Sequence, residues 1–177
     1  MTLRIAGIGH RDTPKSVCSQ MTLIGEWIRE NQHWCTSGHA EGADYAFEEG
    51  AKERTLAYLP WPDFNRRLPV LGHTHVVQDS PALVALLYQF HPSPGRLNPA
   101  AKSLMTRNAP QVLGLDLKTP VDVVVCYRVR SSGTDQAIRI AQSRNIPVWN
   151  MALPQYNSSH KIITQLVSLD KEKGKKK

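Results

Sequence analysis

The segment Val121-Asp122-Val123-Val124-Val125-Cys126 limits the fold more than any other part of the chain. Five of its six side chains are apolar and four are β-branched, so it reads as a strand. An alternating strand hides one face, whereas a nearly unbroken apolar run must be covered on both. The middle of a parallel sheet, with helices on either side, meets that condition. At 177 residues the chain has room for one such core.

The flanking sequence supplies the partners. Residues 2–8, 34–37, 55–59 and 146–149 are short apolar stretches and predict four further strands. Val17, Met21, Ile24 and Ile28 recur at helical spacing after Thr13-Pro14, a capping residue followed by proline at the first helical position. Ala43, Phe47 and Ala51 mark a second helix, and Ala137, Ile138 and Ala141 a later one. Ile162, Ile163, Leu166 and Val167 mark the last, over 161–169. This alternation predicts an α/β fold, a doubly wound parallel Rossmann-like sheet of about five strands. Segment 63–120 breaks the rhythm. It offers helical patterns at Leu83, Leu86, Leu87 and Phe90, over 99–107 and over 110–115, but no strand. We read it as a helical insertion in a single domain of 1–170, too short for a core of its own.

The net charge is +7, and four of these charges belong to 171–177, which holds five lysines and one glutamate. Such a run predicts a disordered basic tail with a weak, salt-sensitive attraction to nucleic acid. The remaining +3 does not demand a nucleic-acid partner. No apolar run approaches the roughly 20 residues of a membrane span, and no signal-peptide pattern opens the sequence. Cys18, Cys35 and Cys126 are odd in number and scattered, which argues against a disulfide framework or a zinc site and for a reducing cytoplasm. His73, His75 and His91 have no clustered carboxylate or cysteine, so neither metal nor cofactor is expected.

Three glycine-bearing loops carry the candidate chemistry. Gly9-His10-Arg11 follows the first strand; Ser37-Gly38-His39-Ala40-Glu41-Gly42-Ala43-Asp44 follows the second; Ser132-Gly133-Thr134-Asp135 follows the fourth. In a parallel sheet all three emerge at the carboxyl ends of the strands, where ligands bind. Glycine admits close backbone approach, and each following helix N-terminus offers free N–H groups to a phosphate. Ser37, Ser132 and Thr134 add hydroxyls, and Arg11 a cationic fork. His10 and His39 are candidate acids, bases or donors. Asp44 and Glu41 are candidate carboxylates, although acidic residues in a first helical turn also complement the helix dipole. Trp61, between two prolines, is the aromatic placed to stack on a base.

Together these motifs resemble the SLOG-type Rossmannoid superfamily, which includes the Lonely Guy phosphoribohydrolases, the Rossmann domain of DNA-processing recombination mediators, and small stand-alone phage proteins. The resemblance covers roughly 1–62 and 97–150. Leu104-Met105-Thr106-Arg107-Asn108 sits where the Lonely Guy enzymes, which it resembles here, carry Met-x-x-Arg-Lys, and this implies a site role for Arg107 and Asn108. Their Pro-Gly-Gly-x-Gly-Thr-x-x-Glu loop falls on Ser132-Gly133-Thr134-Asp135-Gln136-Ala137, with alanine where the family has glutamate. The resemblance implies a nucleotide or nucleoside-phosphate ligand and a homo-oligomer.

The leading expectation is a nucleotide-binding protein that hydrolyses the N-glycosidic bond of a nucleoside 5′-phosphate. Asp44, Glu41, Arg107 and His10 would be catalytic, and the three loops would hold phosphate and sugar. Two alternatives stand beside it. One is a sensor or sequestering protein without turnover, which alanine at position 137 favours; the other is a single-stranded DNA-binding, recombination-mediator-like protein.

Overall fold

The computed structural model of the chain describes residues 2–68 and 70–175. Its sheet consists of β1 (Arg4–Gly9), β2 (Trp34–Ser37), β3 (Thr55–Leu59), β4 (Thr74–Val76), β5 (Val123–Tyr127) and β6 (Val148–Asn150). All neighbouring pairs are parallel, in the order β4-β3-β2-β1-β5-β6. The chain winds outward from β1 to β4, returns across β1, and continues through β5 to β6. Winding therefore reverses between β1 and β5, whose register runs from Ile5 opposite Val123 to Gly9 opposite Tyr127.

The sheet is covered on both faces. Leu3, Ile5, Val123 and Val125 point to one side, against Met21 and Ile24 of α1 (Lys15–Glu30), Phe47 of α2 (Ala43–Ala51), and Ile162 and Leu166 of α7 (Ser159–Lys175). Ala6, Ile8, Val124 and Cys126 point to the other. There they meet Leu83 of α3 (Pro81–Phe90), Val112 of α5 (Asn108–Leu113) and Ile140 of α6 (Thr134–Ser143). Alternate residues of β5 thus feed opposite cores, which is why the strand is apolar throughout. The remaining helix, α4 (Pro99–Thr106), leads directly into α5.

Three expectations need correction. The sheet has six strands, because Thr74-His75-Val76 inside segment 63–120 adds to the edge beside β3. With three residues and two polar side chains, β4 carries no period-2 signal long enough to read. The basic end is helical through Lys175 rather than disordered. Lysine and glutamate are good helix formers, and the Lys173 ammonium pairs with the Asp122 carboxylate. Asp122 in turn accepts the Arg4 amide at 2.8 Å. Lys176 and Lys177 lie outside the described residues. Finally, α1 starts after Pro14, and Thr13 closes the preceding loop by donating its hydroxyl to the His10 carbonyl at 2.6 Å.

Phe47 is the largest fully buried side chain, and it packs on the bare backbone of Gly7 in β1. Phe47→Ala leaves a cavity between α2 and the sheet. It is expected to lower unfolding free energy by about 3–5 kcal/mol, read as a fall in the urea midpoint at an unchanged slope.

Candidate functional site

The reversal of winding opens a crevice outside the carboxyl ends of β1 and β5. A cavity of about 400 Å³ occupies it. Its walls come from the loops after β1, β2 and β5, and from the junction of α4 and α5.

The loops after β1 and β2 touch through their backbones. Gly42 has φ +81°, and a Cβ there would lie 2.3 Å from the Arg11 carbonyl oxygen. The Ala43 amide donates to the His10 carbonyl at 3.3 Å. Only glycine permits both the left-handed conformation and that approach.

Arg107 ties this pair of loops to the insertion. It stands where α4 ends and α5 begins, and α5 is pinned to the sheet by a 2.6 Å bond from the Thr36 hydroxyl to the Gln111 carbonyl. The guanidinium lies against Gly38, where a Cβ would fall 1.7 Å from Nη1. Next to it, Asn108 donates to the Gly133 carbonyl at 3.3 Å and to Gln136 Oε1 at 3.1 Å. The α4–α5 junction thus reaches from the second loop to the third.

Charge in the cavity is unevenly compensated. Arg107 is buried, and burial lowers its pKa; the carboxylates of Asp44 and Glu48 oppose the shift, and Arg11 reinforces it. Asp44 Oδ2 is 4.0 Å from Arg107 Nη1 and accepts the amides of Gly38 and Ala40 at 3.1 and 3.3 Å. Burial nevertheless pushes Asp44 up to about 6, against Arg107 and with the help of Glu48. The guanidinium of Arg11 has no ion-pair partner among the described residues. His10 Nε2, Arg107 Nε and Gln111 Nε2 are buried without a hydrogen-bond partner among them, and all three residues line the cavity.

Of the residues singled out from sequence, Gly9, His10, Arg11, Asp44, Arg107, Asn108, Ser132, Gly133 and Thr134 line the cavity. Ser37, Gly38, Gly42 and Ala43 lie behind it as support, the Ser37 hydroxyl fully buried. Glu41 is exposed and outside the lining. His39 also turns away: its Nδ1 is 2.7 Å from the Glu48 carboxylate, which also pairs with Arg67, and its ring packs on Tyr45. Asp135 faces the other side of its loop, bound by Arg128 at 2.8 Å and by the Ser131 hydroxyl at 2.8 Å. Burial raises its pKa, but these donors and the Ser132 amide outweigh that and hold it below the ordinary value. Trp61 packs edge-on against Phe64 and does not reach the cavity. His73 and His75 lie against Trp34 and Tyr58. Sequence reasoning missed Asp12, Gln111 and Arg130 in the lining, and Glu48 behind it. The Gly-His-Arg tripeptide stops one residue short of Asp12, and the other three stood on segments read as plain helix or connecting loop. Ala137 does line the cavity, so no carboxylate stands at that position.

No family model matches the chain, and no curated protein matches it. Two solved structures share the fold. One is DNA processing protein A from Helicobacter pylori, described for its single-stranded DNA binding mode, with a TM-score of 0.57 and 21% identity over 82% of this chain. This chain spans 63% of the length of that one. The other is the Moco Carrier Protein of Chlamydomonas rheinhardtii, with a TM-score of 0.57 and 16% identity, covering 96% of this chain and 98% of that one. At these identities the likeness establishes a Rossmann-like fold. Among the described residues no helix is long and apolar enough to cross a membrane.

The Asp44 carboxyl gives a pH signature. Its folded pKa, about 6, lies above its ordinary 3.8, so the folded protein binds the proton more tightly than the unfolded chain does. The contribution of this group to stability is therefore full below the unfolded value and is lost as pH rises from about 4 to about 6, by up to about 3 kcal/mol. Urea unfolding across that range is expected to show the decline in the wild type and a flatter profile in Asp44→Asn.

Proposed function

We propose that the cavity binds the phosphate and sugar of a nucleoside 5′-phosphate or a related nucleotide, as a member of the SLOG-type group. The observation that carries this reading is the excess of donors over acceptors. The lining holds three arginines, Arg11, Arg107 and Arg130, against two carboxylates, Asp12 and Asp44, and the buried Arg107 Nε and Gln111 Nε2 have no hydrogen-bond partner among the described residues. Buried donors and cations without partners are costly. A phosphate, with two negative charges and several acceptor oxygens, is the complement that such a wall lacks. The cavity volume falls in the range of small-molecule sites. One protein of similar fold binds single-stranded DNA and another carries Moco. The walled cavity favours the smaller class of ligand here.

A second reading, hydrolysis of the N-glycosidic bond, is favoured by Asp44, a buried carboxyl in the cavity lining that burial pushes up to about 6. As the bond between sugar and base breaks, that carboxylate would face the positive charge on the sugar carbon. Water would supply a hydroxyl to the sugar and a proton to the departing base. The alanine at 137 leaves the site with fewer carboxylates than the Lonely Guy pattern.

Calorimetry against nucleoside 5′-mono-, di- and triphosphates, with chromatography of the products, tests both readings. One nucleotide should bind per chain, and Arg11→Gln should weaken it about tenfold. If turnover occurs, free base should appear and should vanish in Asp44→Asn while binding persists. Binding of oligonucleotides alone, with no mononucleotide bound, would overturn the small-ligand reading.

A further inference from the structure

We infer that Arg130 is an additional phosphate-contacting residue, and that Asp12 holds it across the mouth of the cavity until an anion takes its place. The inference rests on the phosphate-site reading above and adds a residue that neither the Gly-His-Arg nor the Ser-Gly-Thr motif contains.

The two residues stand on opposite walls. Asp12 follows β1 and Arg130 follows β5, so their ion pair crosses the crevice at the point where the winding reverses. Both line the cavity, and both are well exposed, at 61% and 66% of their side-chain surface. Asp12 engages Arg130 through a single nitrogen, Nη2. A guanidinium has five N–H donors, and among the described residues the others of Arg130 have no partner. Its other oxygen lies 3.9 Å from His10 Nδ1.

The pair is therefore loosely held and easily exchanged. Exposed ion pairs are weak and screened by salt. A phosphate can occupy two donors of the fork at once, which one carboxylate oxygen cannot. Arg11 and Arg130 both line the cavity, so an anion bound there has both guanidinium groups in its wall. Leaving Asp12 for the phosphate needs only a turn of the exposed Arg130 side chain. Asp12 is then a competitor that acts through Arg130.

Adenosine 5′-monophosphate and inorganic phosphate are the probes, titrated by calorimetry at about 0.15 M salt. Because both side chains are exposed, their substitution leaves the fold intact. Arg130→Gln is expected to weaken binding of the tighter probe about tenfold. Asp12→Asn is expected to tighten it about threefold, and to have no effect in the Arg130→Gln background. Unchanged affinity in Arg130→Gln overturns the contact. An equal gain from Asp12→Asn in both backgrounds overturns the exchange, because Asp12 then acts as a bare charge. A wild-type chain that binds neither probe fails the phosphate-site reading itself and this inference with it. A wild-type chain that binds, with the variants indistinguishable from it, fails this inference alone.

Discussion

A guanidinium shut inside a protein dictates what surrounds it. Arg107 sits buried against the bare backbone of Gly38, with one carboxylate at 4.0 Å and its Nε unpaired. Nothing larger than hydrogen fits at position 38 without displacing it. Asp44 is fixed by two amides of the same loop, and its position next to Arg107 ties the second loop to the insertion. Asn108, the next residue, ties the insertion to the third loop. The convergence of three distant turns on one cavity thus depends on where this one cation is buried.

The sheet topology supplies the room. Where the winding reverses between β1 and β5, the loops that follow these strands diverge and leave a crevice. Glu48, His39 and Arg67 form a closed cluster behind the second loop, which shows the same residue types spent on each other instead of on a ligand. The contrast is instructive. A polar cluster with its charges paired is a structural support, and one left with surplus cation is a candidate binding site.

Much of this was legible in the chain. The all-apolar run of β5 announced a strand covered on both faces, and the spacing of Met21, Ile24 and Ile28 announced the inner face of α1. Nine of the site residues chosen by motif line the cavity. The failures have physical causes. His39 and Asp135 belong to the right loops but point away, because backbone geometry within a turn decides side-chain direction and a motif does not record it. Glu41 has no buried partner and remains in solvent. β4 is too short for periodicity to register. Asp12 and Arg130 escaped notice because a contact between residues 118 positions apart leaves no local trace.

Under the proposed function the three turns grip one phosphate together. A crystal structure of the protein grown with a nucleoside 5′-monophosphate tests it most directly. The phosphate is expected inside the cavity, within hydrogen-bond distance of both the Arg11 guanidinium and the Ser132–Gly133–Thr134 turn. A nucleotide bound elsewhere on the surface, or one whose phosphate touches only one of these two loops, would contradict it.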